Sequence, residues 1–401
     1  MNTTAKSMRL TFGIFGRANA GKSSLVNYIT NQAVAITSEI AGTTTDTVEK
    51  TMELAPAGPV VFIDTAGLDD TGKLGEERIK KTLKVFERAD IAILVTTPGV
   101  WGDTEIKIAE MCQTRKIKLI AVVNKCDTAV AQVPFLENIR RYTESILQCS
   151  ALDSACREEF MEQFKKAVAA NLPENFTKPV PLLGDLIKPR DLIIMIVPID
   201  LQAPKGRLIM PQVQAIRDAL DNNAMILAVK EDCYAELISR VNPRPALVIC
   251  DSQVVKTMIQ STPIGIPCTT FSVLFSRLKG DTSVFLQGCK AIDSLQDGDR
   301  VLIAEACTHH PTCEDIGRVK IPMLLQKKTG RKLQFDFAPG RDFPEDITPY
   351  KLIVHCGSCM LNRHETLDRI YRAQSVGIPI ANYGMVISYC QGVLDKIVIP
   401  E

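Results

Sequence analysis

Residues 16–23 read Gly-Arg-Ala-Asn-Ala-Gly-Lys-Ser, set between an apolar run at Arg9–Phe15 and an amphipathic stretch opening at Lys22. A G-x-x-x-x-G-K-[ST] pattern in that setting constrains the fold more than any other feature of the chain, because it specifies strand, glycine loop and helix in that order. The glycines let backbone N–H groups curl around phosphate oxygens, and the helix N-terminus adds its partial positive charge. Gly16, Arg17, Ala18, Asn19, Ala20, Gly21, Lys22, Ser23 and Ser24 are therefore the expected phosphate cradle. Lys22 is placed to reach the β- and γ-phosphates, and the Ser23 hydroxyl to ligate Mg²⁺.

The alternation continues to about residue 170. Strands are predicted at Arg9–Phe15, Val60–Asp64, Ile91–Thr96 and Lys118–Asn124, with an antiparallel edge strand within Thr45–Leu54. Helices are predicted to start near Lys22, Glu76, Asp103, Phe135 and Arg157. Such βαβα runs imply a mostly parallel sheet with helices on both faces. A proline-rich linker at residues 171–189 precedes a second α/β block, with strands at Leu192–Pro198, Met225–Lys230 and Ala246–Cys250 and helices at Pro211–Asn222 and Gln253–Gln260. After the break at Ser261–Pro267 a third block follows. Its helices are predicted around Thr270–Leu278, Thr282–Leu295 and His364–Ser375, and its strands at Arg300–Ala306, Leu333–Phe337 and Tyr350–Val354. The expected architecture is α/β in three domains, 1–171, 172–265 and 266–401, in keeping with 401 residues of which 46% are hydrophobic.

No apolar run approaches the ~18–20 residues of a membrane span. The N-terminus runs straight into the glycine motif, so a cytoplasmic protein with no membrane partner is expected. Forty-seven Lys+Arg against 46 Asp+Glu leave a formal charge of +1, which argues against a nucleic-acid partner.

Four further segments arrive in the order a GTP site requires. Asp64-Thr-Ala-Gly67 ends the second strand; Asp64 is expected to hold Mg²⁺ through water, and the Gly67 N–H to sense the γ-phosphate. Gly42-Thr43-Thr44-Thr45-Asp46 offers a threonine hydroxyl to the same ion, Thr44 first and Thr43 second. Asn124-Lys125-Cys126-Asp127 follows the fourth strand, and the Asp127 carboxylate can accept from guanine N1–H and the 2-amino group, a pairing that adenine lacks. Ser150-Ala151 would offer a backbone N–H to guanine O6. The expected reaction is GTP hydrolysis to GDP and phosphate, carried by Lys22, Ser23, Thr44 and Asp64.

This set resembles the translation-factor-related small GTPases of the tRNA-modification and ribosome-assembly type. Leu68 stands where Ras-like proteins carry a water-positioning glutamine. Asn19 matches the loop asparagine that ligates K⁺ in potassium-activated relatives, which implies K⁺-stimulated hydrolysis with Asn19 in a catalytic role.

Thirteen cysteines, an odd count without dense spacing, do not form a disulfide framework. Three of the four histidines lie within three positions of a cysteine. Cys307-Thr-His309-His310-Pro311 follows one apolar strand, and His355-Cys356-Gly-Ser-Cys359 follows another. A C-x-x-C pair puts two thiolates within reach of one metal, and Cys307 can bring a third from a neighbouring strand. Soft thiolates select zinc or an iron–sulfur cluster. Either a histidine closes the site or one iron stays open, while Cys313 leaves a four-cysteine zinc site as an alternative.

A GTPase followed by C-x-H…H-C-x-x-C resembles the HydF family, the GTPases among the [FeFe]-hydrogenase maturation proteins. The matching segments are GRANAGKS, GTTTD, DTAG, NKCD, CTHHP, Asp315–Pro322 and HCGSC. The resemblance implies a scaffold that binds a [4Fe–4S] cluster on Cys307, Cys356 and Cys359, with His309 and His355 as candidates for a labile fourth ligand or for neighbours of the open iron. It also implies a homodimer formed through the middle domain. Its implied partners are two radical-SAM maturation enzymes, which supply a diiron precursor, and the apo-hydrogenase that receives it. The rival reading is a ribosome- or tRNA-modification-associated GTPase with a structural zinc module.

Overall fold

The computed structural model describes residues 8–31, 48–65, 82–173, 176, 180–199, 208–306 and 315–400. The chain divides into two compact units, Met1–Pro179 and Val180–Glu401.

In the first unit the elements are β1 (Leu10–Phe15), α1 (Lys22–Thr30), β2 (Val48–Leu54), β3 (Gly58–Asp64), β4 (Ile91–Thr96), α2 (Asp103–Thr114), β5 (Lys118–Val123), α3 (Val133–Arg140), β6 (Ile146–Gln148) and α4 (Arg157–Asn171). They build one six-stranded sheet of order β2-β3-β1-β4-β5-β6. Only β2 runs antiparallel, against β3. β1 and β4 are buried along their whole length, as strands covered on both faces must be. Alternate side chains of β1 feed the two layers. Phe12 stacks on Phe62 at 4.8 Å between ring centroids, while Phe15 stacks on Phe86 at 3.9 Å on the other face. The start of the helix expected from Glu76 lies outside the described residues; residues 82–86 are helical. Because β1, β3, β4 and β5 run parallel, Gly16, Asp64 and Asn124 all leave the sheet at its carboxyl edge.

The second unit holds two four-stranded sheets. The first comprises β7 (Leu192–Ile196), α5 (Met210–Asp221), β8 (Met225–Val229), α6 (Glu231–Arg240), β9 (Leu247–Cys250), α7 (Val255–Ser261), β10 (Cys268–Thr270) and α8 (Phe271–Lys279), in the order β10-β9-β7-β8. The second comprises α9 (Thr282–Lys290), β11 (Arg300–Ala304), α10 (Ile321–Thr329), β12 (Gln334–Ala338), β13 (Leu352–His355), α11 (Arg363–Ser375), β14 (Ile380–Asn382) and α12 (Tyr383–Cys390), in the order β12-β11-β13-β14. Every strand pair in both sheets is parallel. One apolar cluster runs from Ile194 and Val248 to Val301 and Ile387, so the two sheets share core.

The middle sheet has a fourth strand, β10, beyond the three expected. It is three residues long and follows a proline-rich break, too short to show a period. Its pairing with β9 and the packing of Phe271, Leu274 and Phe275 on Ile193 and Leu247 carry this sheet past residue 265. We therefore propose the change of domain after Lys279. Helices α6, α10 and α12 and strands β6 and β14 were also not foreseen.

Candidate functional site

The loop after β1 is shaped by residues that tolerate left-handed backbone. Gly16 has φ 143° and Gly21 φ 91°. A Cβ on Gly16 would lie 2.2 Å from the Val95 carbonyl oxygen, and one on Gly21 2.2 Å from Asn124 Nδ2. Lys22 is buried and its ammonium donates to the Gly16 and Arg17 carbonyls at 3.0 and 2.7 Å, which curls it back over the loop. Arg17 is held by a residue that the sequence did not single out. Its guanidinium donates to both oxygens of Glu105, at 2.7 and 2.9 Å. Glu105 also accepts from the Gly102 N–H at the start of α2 at 3.0 Å. This bidentate fork fixes the loop against the helix.

Ser23 Oγ donates to Asp64 Oδ2 at 2.5 Å. The other oxygen, Oδ1, is buried with no hydrogen-bond partner. Burial pushes the Asp64 carboxyl above its ordinary range, against the pull of the Ser23 hydrogen bond and of Lys22 and Lys50. A buried carboxylate with one idle oxygen beside a hydroxyl is a donor set that suits a hard cation such as Mg²⁺. Thr43, Thr44, Gly67 and Leu68 lie outside the described residues.

Asn124 ties three segments together. Its Nδ2 donates to the Ala20 carbonyl at 3.0 Å, and its Oδ1 accepts the Ala151 N–H at 3.0 Å. The Ala151 N–H expected to face guanine O6 is thus engaged by Asn124 here. Lys125 donates to the carbonyl of Asn19 at 2.8 Å, and Asn19 itself has φ 61°. Asp127 is exposed at the same edge, and Ser150 lies half-buried beside Ala151.

In the second unit, β11 and β13 are neighbours, with Ala304 opposite His355. The Cys356 N–H donates to the Ala304 carbonyl at 2.9 Å, and the Ala306 N–H donates to Cys356 Sγ at 3.0 Å. Cys356 is thereby fastened to the residue just before Cys307. Cys307, His309, His310 and Cys313 lie outside the described residues. Among the described residues no three His, Cys, Asp or Glu side chains cluster as metal ligands. Sulfur atoms that accept backbone N–H groups at the carboxyl end of adjacent strands suit a thiolate-held centre, and such bonds tune iron–sulfur potentials.

His355 is fully buried, with both ring nitrogens engaged by protein groups. Arg369 Nη1 lies 3.0 Å from Nε2, so Nε2 is the acceptor and Nδ1 carries the hydrogen that faces the Cys356 carbonyl at 2.9 Å. Burial, then the Arg369 charge, pushes its pKa down to about 3. Both ring nitrogens of His355, expected as ligand or as neighbour, are engaged by protein groups. The ring bridges Arg369 of α11 and the start of the cysteine turn, where Ser358 Oγ also lies 3.3 Å from Nδ1.

No helix among the described residues is long and apolar enough to cross a membrane.

Comparison with known proteins fits this division. Residues 11–125 match the family model "50S ribosome-binding GTPase". The first unit is a GTPase domain. The chain is 34% identical over 154 residues to tRNA modification GTPase MnmE of Syntrophotalea carbinolica, covering 37% of this chain and 33% of that protein. It is 33% identical over 175 residues to GTPase Der of Wolinella succinogenes, covering 42% and 37% respectively. The chain thus spans about a third of the length of these curated relatives. Among solved structures, Era in complex with MgGDPNP and a 16S ribosomal RNA segment aligns at 20% identity and a TM-score of 0.35, over 55% of this chain and 91% of that one. Residues 182–280 match the hydrogen maturase F dimerization domain, and residues 283–400 its tetramerization domain. These two adjoining matches take in more than half of the chain and follow directly on a GTPase domain, and on that order the chain belongs to the hydrogen maturase F (HydF) family.

Proposed function

We propose that the protein is a Mg²⁺-dependent GTPase serving as a scaffold in [FeFe]-hydrogenase maturation. In this reading it holds a [4Fe–4S] cluster on Cys307, Cys356 and Cys359 and passes a diiron precursor from radical-SAM partner enzymes to the apo-hydrogenase. The observation that carries the reading is the bond from the Ala306 N–H to Cys356 Sγ, which seats the C-x-x-C turn against the strand leading into Cys307. The two hydrogen maturase F matches over the same unit weigh against the ribosome- or tRNA-modification reading. When bound, the cluster supplies an iron position open to exchangeable ligands. The chain's own part is to present thiolates and donate N–H groups to them from a half-buried turn.

For hydrolysis, Lys22 binds and orients the phosphates, Ser23 and Asp64 hold the metal, and Asp127 reads the base. Lys125 holds the Asn19 carbonyl, so the Asn19 side chain is presented from a fixed loop to a K⁺ ion. Self-association follows the edge strand β8, where Met225 and Leu227 are 47% and 37% exposed. An exposed apolar edge is normally covered, and a second copy would cover it as a homodimer.

Anaerobic reconstitution tests the scaffold reading. Bound iron and sulfide with a broad absorption near ~400 nm are expected, and a colourless zinc protein would remove it. GTP turnover should need Mg²⁺ and rise when K⁺ replaces Na⁺; equal rates in the two salts would remove the K⁺ role. Leu227→Lys should weaken dimers in sedimentation at micromolar concentration.

A further inference from the structure

Glu105 stands in the first turn of α2 and is fully buried, a place where glutamates are rare unless paired. Both carboxylate oxygens are engaged. Oε1 accepts from Arg17 Nε at 2.7 Å, and Oε2 accepts from Arg17 Nη2 at 2.9 Å and from the Gly102 N–H at 3.0 Å. A Cβ on Gly102 would lie 3.0 Å from Arg17 Nη2, so the guanidinium rests against bare backbone. Helix α2 is itself anchored. Its Ile108, Ala109 and Cys112 are buried in the layer that holds Phe15, the residue before the phosphate loop begins.

Arg17 carries this grip into the site through its backbone. Its carbonyl accepts from the Lys22 ammonium at 2.7 Å, closer than the Gly16 carbonyl at 3.0 Å. A bidentate arginine–carboxylate fork is geometrically specific as well as strong, which leaves residue 17 little room to shift. Two other loop carbonyls have holders of their own, Lys125 for Asn19 and Asn124 for Ala20. Those holders belong to the base-reading motif, whereas Glu105 belongs to none. A glutamine at 105 would still accept from the Gly102 N–H, so the helix start does not account for a buried charge. The grip on Arg17 does.

We propose that Glu105 is a positioning residue for GTP hydrolysis: through its fork to Arg17 it fixes the carbonyl that seats Lys22, and so sets the place of the ammonium as charge builds on the γ-phosphate oxygens. This rests on the hydrolysis reading above. Diphosphate binding draws mainly on the loop N–H groups and the start of α1. The lysine answers charge that spreads over the γ-oxygens in the transition state. Displacing that ammonium therefore costs rate before it costs diphosphate affinity.

The test uses the full chain with Mg²⁺, following single-turnover GTP hydrolysis at saturating nucleotide and GDP affinity by titration. Glu105→Gln keeps an acceptor for Gly102 and weakens the fork. The rate should fall about tenfold while GDP affinity stays within about twofold of the parent protein, well inside the ~10²-fold that a ~1 Å misplacement can cost. Arg17→Met added to Glu105→Gln leaves no buried carboxylate unpaired, and should slow that chain by no more than about threefold, because both changes cut one link. A second tenfold fall would mean that the two residues act apart, and overturns the proposal. So does a Glu105→Gln rate equal to the parent's, or a fall in GDP affinity as large as the fall in rate. A chain that does not fold with glutamine at 105 also overturns it, because the carboxylate then serves the fold. A parent protein that does not turn over GTP removes the hydrolysis reading itself, before any variant is made.

Discussion

Arg369 and His355 form a buried pair in which the guanidinium reaches Nε2 at 3.0 Å while its second nitrogen, Nη2, donates to the Gly340 carbonyl at 2.9 Å. Through Nδ1 the imidazole holds the Cys356 carbonyl, so Arg369 fixes the cysteine turn at one remove. His355→Leu removes the acceptor from a buried cation. A loss of about 2–4 kcal/mol is expected in the thermal stability of the second unit. Iron should still bind, with an altered EPR signature. Iron lost from a variant as stable as the parent protein would restore His355 as a ligand.

Asn124 carries a structural duty beside the base-reading residue. Asn124→Ala removes the bonds to Ala20 and Ala151 and should cost about 2 kcal/mol, roughly thirtyfold in GTP affinity. The preference for guanine should remain, because Asp127 is untouched. Asp127→Asn should instead shift preference toward xanthine nucleotides. Fluorescent-nucleotide titration separates the two. A guanine preference lost in Asn124→Ala would mean that the asparagine reads the base.

Much of this was legible because it is local. Gly16 to Ser24 and Asn124 to Asp127 declare themselves by spacing, and β1 and β5 by continuous apolar runs. Less legible were the partners that only tertiary packing supplies. Glu105 lies 88 residues from Arg17, and Lys279 lies 82 from Leu361. Neither sits in a motif, and each reads as an ordinary charge on an amphipathic helix. Strands β10 and β14, three residues each, are too short for a period of two to register. His355 shows the opposite case. Its place beside Cys356 offered two roles, ligand or neighbour, and its bonds to Arg369 and the Cys356 carbonyl come from packing that no motif shows.

The ion pair of Arg277 and Asp185 gives a pH-dependent stability. Arg277 Nη2 donates to Asp185 Oδ1 at 2.8 Å and to the Leu182 carbonyl at 3.0 Å, with the arginine side chain 8% exposed and the carboxylate 47%. The Arg277 hydrogen bond holds the Asp185 carboxyl below its ordinary range. Its folded value lies under the unfolded ~3.9, so the contribution is complete above about pH 4 and disappears as pH falls through the folded value. Asp185→Asn should cost about 1–2 kcal/mol at pH 7, kept low by the exposure of the carboxylate. Asp221→Asn, in an exposed pair with Arg217, should cost almost nothing. Denaturation curves at pH 7 and pH 3 check both; a parent–variant gap as wide at pH 3 as at pH 7 would contradict the assignment.

The last expectation separates the sulfur ligands from the bystander. Cys356 is fastened by the Ala306 N–H, and Cys359 is half-buried in the same turn. With Cys307 they make a three-thiolate set, and a cubane left with two thiolates lacks the coordination to hold its iron. Cys307→Ser, Cys356→Ser and Cys359→Ser should each lose stable iron and sulfide, while Cys313→Ser keeps both. GTP hydrolysis should persist in all four variants, because the phosphate and metal groups Gly16–Ser24 and Asp64 and the base-reading Asp127 belong to the other unit. Cys356→Ala should also loosen the end of β11, since the Ala306 N–H loses its side-chain acceptor; faster amide exchange at Ala306 would report it. If Cys313→Ser sheds metal as fully as Cys356→Ser, the site is a closed four-cysteine centre, and the open iron position on which the scaffold reading depends is gone.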